Sequence, residues 1–160
     1  MFIDRCRLVR ELLDNPAITT DIIVGFPGET EADFESTCRV SRECGFSKIH
    51  IFPFSPRKDT PAAEMNDMVS PQEKSDRHQQ LATLEAELRQ AYFHSLIGRQ
   101  LTVLVENAIE TIPGGWVGTS CRYAPVEISS SGSLAGQLLA VEARELRNGM
   151  VVCSRSSGVR

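Results

Sequence analysis

No apolar run in this 160-residue chain approaches the roughly 20 residues that a membrane-spanning helix needs. No secretory signal opens it. Its five cysteines, Cys6, Cys38, Cys44, Cys121 and Cys153, are too scattered to form a closely spaced pair. The thiolate runs that hold zinc or iron–sulfur clusters are therefore missing. Such cysteines read as thiols of a reducing cytoplasm, each most simply a small buried hydrophobe. His78 and His94 have no metal partners at ligand spacing and read as surface residues. No Ser-His-Asp, Cys-His or paired-carboxylate set stands out. There is no repeat and no low-complexity tract, and the serine-rich stretch at 129–133 is a turn. From residue 95 onward there is no lysine at all.

The chain does carry an uneven charge. The net value of −4 argues against a general polyanion-binding surface. Residues 95–160, however, hold six arginines against five glutamates, and the acidic excess lies before them. Arginine can fork onto phosphate and stack on bases, so the C-terminal part is the candidate for meeting RNA. A merely solvated surface is the alternative.

The pattern along the chain changes once. Residues 2–14 are helical, with Phe2, Cys6, Val9 and Leu13 at helical spacing and a stop at Asn15-Pro16. A strand follows at 19–24, then a helix from about 31 to 44 with Phe34, Cys38, Ser41 and Cys44 inward and Gly45 as its stop. A second strand runs from Lys48 to Phe54. This is one α-β-α-β piece with parallel strands, as in a (β/α) barrel. After a polar loop at 55–69, Ser70-Pro71-Gln72-Glu73 starts a helix that runs to about Leu96, with Leu81, Leu84, Leu88 and Tyr92 on one face. From Gln100 the period becomes that of strands. Segments 101–106, 116–119, 123–128, 138–143 and 150–153 predict a small five-stranded antiparallel barrel. The expected domains are 1–69, a connecting helix at 70–98, and 99–160.

Two motifs carry chemistry. In Asp21-Ile22-Ile23-Val24-Gly25-Phe26-Pro27-Gly28-Glu29-Thr30 a short apolar strand ends in a glycine-rich turn and an acidic side chain. It lacks the G-K-[S/T] ending of a phosphate loop. The carboxyl ends of parallel strands are where ligands sit. At the second strand end stands Phe52-Pro53-Phe54-Ser55-Pro56-Arg57, followed by Thr60-Pro61-Ala62. Together the motifs resemble the fifth- and sixth-strand ends of radical S-adenosylmethionine (SAM) methylthiotransferases, over roughly residues 2–97. Family members usually have glycine where Asp59 stands, which leaves the geometry of that loop open.

The resemblance implies the fold: α/β followed by all-β, namely the last two β/α units of a radical SAM partial TIM barrel, a long connecting helix, and an OB-like TRAM barrel that binds RNA. It implies two cofactors in the full-length family, SAM and [4Fe–4S] clusters, one cluster cleaving SAM to a 5′-deoxyadenosyl radical and the other supplying sulfur. This chain has no C-x3-C-x2-C run and so no cluster ligands of its own. Met1 opens directly on a helix, which reads as a truncation or a fragmentary reading frame. The implied partners are tRNA, SAM and a separate N-terminal polypeptide carrying the cluster motifs. Within the family, the branch acting on threonylcarbamoyladenosine beside the tRNA anticodon is the nearest resemblance. A ribosomal-protein methylthiotransferase fragment and a non-catalytic TRAM-type RNA-binding protein are the alternatives.

The candidate SAM-binding residues are Ile23, Gly25, Phe26, Pro27, Gly28, Glu29, His50, Phe52, Phe54, Ser55 and Arg57. Ile23, Gly25, Phe52 and Phe54 suit an adenine ring, which needs an apolar slot rather than charge. Glu29 either contributes a polar contact or stabilises the following helix start. Arg57 either meets an anion or is a solvated loop residue. His50 shares a strand face with Phe52 and either approaches the cofactor or is a hydrogen-bonded core histidine. The candidate RNA residues are Trp116, Arg122 and Tyr123, an aromatic-basic cluster on which bases can stack. The other reading of that cluster is a core tryptophan with an exposed turn arginine.

Overall fold

The computed structural model describes residues 1–155; the last five residues of the expected 99–160 domain, 156–160, lie outside them. The chain divides into two compact units, Met1–Arg89 and Gln90–Arg160.

In the first unit, α1 (Phe2–Leu12) is followed by β1 (Thr19–Val24), α2 (Glu31–Cys44) and β2 (Lys48–Pro53). Thr30 and Asp33 form a reciprocal capping box at the start of α2, and Gly45, with φ +58°, closes it in the left-handed region. β1 and β2 pair in parallel, with Asp21 beside His50 and Ile23 beside Phe52. Phe54 lies beyond β2, although its N–H still reaches the Val24 carbonyl at 2.8 Å. A 3₁₀ turn at Pro61–Ala63 precedes α3 (Pro71–His94), whose last turn falls in the second unit. Ser95 to Gly98 then tighten into three-residue turns, so α3 stops short of Leu96.

The helices cover one face of this two-stranded sheet. Cys6, Val24, Phe34, Cys44, Phe46, Ile49, Leu81 and Leu84 form the core there. The expected stripe of α1 is corrected: only Cys6 is buried, while Phe2, Val9 and Leu13 are exposed. Ile3, one residue along, is what packs beside Cys6. The other sheet face, carrying Asp21, Ile23, His50 and Phe52, is exposed.

The second unit is a closed five-stranded barrel. β3 (Gln100–Ala108), β4 (Gly115–Ser120), β5 (Pro125–Ser129), β6 (Leu138–Arg147) and β7 (Met150–Arg155) run in the order β3-β4-β5-β7-β6, with β6 returning to β3. Alternation fills the centre: Leu101, Val103, Val105, Val126, Ile128, Val141 and Val151 are buried. Register shifts between Val105 and Asn107 and between Ala143 and Glu145 bend the two longest strands. The barrel is not wholly antiparallel as expected: β5 pairs with β7 in parallel. The third strand also starts later than its pattern suggests, at Pro125, because Tyr123 takes a left-handed turn conformation at φ +56°.

Candidate functional site

The ends of β1 and β2 bring five of the candidate residues together. Ile23, Phe52, Phe54, Ser55 and Arg57 line one cavity of about 550 Å³, joined by Asp21, Pro53, Thr60 and Ala62. Its size falls in the range of small-molecule sites. Ile23 and Phe52 are half exposed, at 52% and 50%, and sit side by side in register. They give the cavity an apolar floor, and Asp21, Ser55, Arg57 and Thr60 supply polar groups. Apolar surface with a few polar groups suits the adenine, ribose and charged tail of SAM, so these residues fit that cofactor. Asp21 and Thr60 were not singled out in the sequence. Their positions within the two motifs were the available signal.

The loop that follows turns at Asp59. Asp59 has φ +64°, the conformation a glycine adopts without cost. Aspartate is one of the few side chains that tolerate it. Thr60 then accepts no cap role but donates its hydroxyl to the Arg57 carbonyl at 2.7 Å.

Gly25 to Gly28 form the turn after β1 and do not line the cavity. Gly25 at φ +70° and Gly28 at φ +80° both need the left-handed region. The Gly28 N–H donates to the Asp67 carbonyl at 2.7 Å. Pro27 is buried, and Phe26 meets Phe54 edge-on at 5.1 Å between centroids.

Glu29 is not among the residues lining the cavity. Its carboxylate, one residue before the α2 N-cap, is held by two donors. It accepts the Gly25 N–H at 2.7 Å and the Arg77 guanidinium at 2.8 Å. Arg77 also donates to the Glu29 carbonyl at 3.1 Å, and stands 5.7 Å from the centre of the Phe34 ring. It is 5% exposed. Sequence reasoning missed it. The signal was its place on the apolar stripe of α3, four residues before Leu81.

His50 is exposed, so it is not a core histidine. It borders a second, smaller groove with Phe52, His78 and Glu85. His78 and His94 are exposed, as expected. Cys121 is exposed too, unlike the buried Cys6, Cys44 and Cys153. Among the described residues no three His, Cys, Asp or Glu side chains converge to hold a metal ion. The residues of this chain do not fit a [4Fe–4S] cluster.

The three candidate RNA residues do not form one cluster. Tyr123 and Arg122 share the β4–β5 turn. Trp116, half buried, stands near the start of β4 opposite Ala108 and Ile128. From Trp116 to the strand end at Ser120 is about 13 Å at roughly 3.3 Å per residue. Tyr123 is 80% exposed. The Arg122 carbonyl accepts the Tyr92 hydroxyl at 3.2 Å.

Aligned with proteins of known activity, the chain is 38% identical over 146 residues to the tRNA-2-methylthio-N(6)-dimethylallyladenosine synthase of Bacillus mycoides (strain KBAB4), covering 91% of this chain and 29% of that protein. It is 34% identical over 143 residues to the threonylcarbamoyladenosine tRNA methylthiotransferase of Bacillus subtilis (strain 168), covering 88% and 32%. The chain belongs to the radical SAM methylthiotransferase family. A synthase of the first kind from Parafrankia sp. (strain EAN1pec) reaches 47% identity over 97 residues, 61% of this chain and 20% of that protein. No protein-family model matches the chain. It spans about three-tenths of the length of the two Bacillus relatives. Among the described residues no helix is long and apolar enough to cross a membrane.

Proposed function

We propose that this chain supplies part of the SAM pocket and the RNA-binding module of a cytoplasmic tRNA methylthiotransferase. The observation that carries the reading is the cavity at the ends of β1 and β2, where residues of both family motifs meet. SAM, when bound, would supply the methyl group and the radical chemistry of the family. The chain's own residues would hold its nucleoside: Ile23, Phe52 and Phe54 exclude water from the adenine, Asp21 and Thr60 accept or donate to hydroxyls, and Arg57 pairs with a carboxylate. The strand pair reads as the last two β/α units of a partial TIM barrel, completed by a separate polypeptide with the cluster motifs.

The barrel reads as an OB-type TRAM module. Its Greek-key order with one parallel pair supports this. The substrate is an N6-modified adenosine in tRNA. The names of the relatives divide between threonylcarbamoyl and dimethylallyl substituents. The reading kept for this chain is threonylcarbamoyladenosine. Chromatography of tRNA nucleosides, after co-expression with a polypeptide carrying the remaining family length, distinguishes them.

The test of the cavity is binding of S-adenosylhomocysteine to the whole chain. Saturable binding is expected, weakened about tenfold in Phe52→Ala, the loss of a large part of one buried aromatic contact. No binding up to millimolar concentration would overturn the reading. The chain alone, with no cysteine triad, is expected to release no 5′-deoxyadenosine from SAM even after iron–sulfur reconstitution. Release above a protein-free control would sink that expectation. A non-catalytic RNA-binding protein is the second reading, favoured by the closed barrel. It gains if tRNA binds and S-adenosylhomocysteine does not.

A further inference from the structure

The loop after β2 lines the cavity; the Gly25–Gly28 turn after β1 does not, but its Phe26 meets the cavity residue Phe54 edge-on. The first two turns of α3 reach both. Arg77 donates to the Glu29 carboxylate at 2.8 Å and to the Glu29 carbonyl at 3.1 Å. The same carboxylate oxygen accepts the Gly25 N–H at 2.7 Å, so one oxygen joins α3 to the turn that ends β1. One helical turn earlier, Lys74 donates its ammonium to the Phe54 carbonyl at 3.3 Å and sits 5.5 Å from the centre of the Phe54 ring. Its aliphatic stem lies against Gly25, where a side chain would collide with it. Phe54 in turn contributes to the cavity lining and braces Phe26.

Two features show that this is more than a surface ion pair. Arg77 is 5% exposed, and its Nε has no hydrogen-bond partner among the described residues. A buried guanidinium with one donor unsatisfied is costly. A leucine at the same position on the stripe with Leu81 and Leu84 would bury without that cost. The charge is retained where it can fix a backbone N–H in a left-handed turn, and that turn meets the cavity lining through the Phe26–Phe54 contact.

We infer that Arg77, acting through Glu29, and Lys74, acting through Phe54, are positioning residues that hold the β1 turn and the cavity-lining loop after β2 against each other and so set the shape of the nucleoside pocket. The link to SAM rests on the function proposed above. The link to loop geometry does not.

The experiment uses the whole ¹⁵N-labelled chain with S-adenosylhomocysteine as the probe. Two quantities are read: the Gly25 amide proton shift, which a short bond to a carboxylate moves downfield, and the dissociation constant of the probe. Arg77→Met and Glu29→Gln should each return the Gly25 amide upfield and weaken the probe roughly tenfold, the loss of one charge-assisted bond. The double variant should bind no worse than either single one, because both break the same link. Arg77→Lys, which keeps the charge but carries it on a shorter side chain, should give intermediate values in both readings, and it serves alone if Arg77→Met does not fold. Lys74→Met should weaken the probe without moving the Gly25 amide to the same extent. Parent values for Arg77→Met or Arg77→Lys in both readings, or fully additive effects in the double variant, would overturn the inference. If the parent chain does not bind the probe, the cofactor reading fails, and the Gly25 shift in the Arg77 variants still decides whether α3 positions the loop.

Discussion

Tyr123 carries two costs at once. Its backbone is left-handed at φ +56°, a region that bulky side chains avoid, and its ring is 80% exposed. Strain of this kind collects at functional positions. Tyr123→Gly should relieve it and raise the stability of the barrel by about 1 kcal/mol, the strain offset by glycine's extra chain entropy. The same change should weaken tRNA binding by roughly 1–3 kcal/mol if the ring stacks on a base. A urea midpoint and a filter-binding titration at fixed salt read the two effects; loss of stability with unchanged affinity would refute both. Cys153 gives a pH prediction. Burial pushes its thiol up from 9.0 to about 11. Between those values the unfolded chain has lost the proton and the folded chain keeps it. Folding stability from this group is therefore full below pH 9 and falls as pH rises toward 11. Cys153→Ala should fall less steeply than the parent across that window in denaturant melts. An identical slope would show that the thiol is not protected. At this scale the sequence was informative where function needs local geometry, as at Gly25 and Gly28. It was silent on Arg77, which meets Glu29 from 48 residues away.

The start of α3 shows how local chemistry fixes an element. The Ser70 hydroxyl accepts the Glu73 N–H at 3.2 Å, and the Glu73 carboxylate accepts the Ser70 N–H at 3.1 Å. Hydrogen bonding to the carboxylate from the Ser70 hydroxyl, the larger effect, and from the Ser70 N–H holds the Glu73 carboxyl below its usual range. Its share of stability is thus present at neutral pH and lost as pH falls through the carboxylate range. Ser70→Ala should cost about 1 kcal/mol. A thermal melt unchanged from the parent would show that the box is idle. The same residue pattern made this helix start, the α2 cap and six of the seven strands readable to within about two residues. Two things were not readable. Trp116 and Tyr123 are neighbours in sequence, but an extended strand carries them apart. The parallel pairing of β5 with β7 lies in no local pattern, because alternation tells which face a residue takes and not which strand lies beside it.

At the scale of the molecule, the boundary between the units falls inside α3, between Arg89 and Gln90, rather than in a loop. Tyr92, Phe93 and Leu96 are buried, and the Gly98 N–H and the Arg99 carbonyl both bond Ala143. A fragment from residue 90 should fold as a cooperative barrel. One from residue 99 lacks three buried side chains and should be less stable by several kcal/mol, on the order of 3–5. Equal denaturation midpoints for the two would show that the helix end adds nothing to the barrel.

Closure of the barrel also dictates the order in which it can assemble. β6 turns into β7 through Asn148-Gly149, both left-handed, and β4 into β5 through a short turn, so each hairpin can form from neighbours in sequence. The ring itself joins Gln100 to Glu142 and Val126 to Val151. Those seams must find each other across long stretches of chain, and their loop entropy is lost before any contact compensates it. The transition state of refolding is then a matter of closing two seams rather than of making strands, and the rate belongs to the millisecond-to-second class of non-local β-proteins. Substitutions in the turns would alter how fast the hairpins appear. Substitutions along the β5–β7 seam, such as Val126→Ala, would slow the decisive step itself.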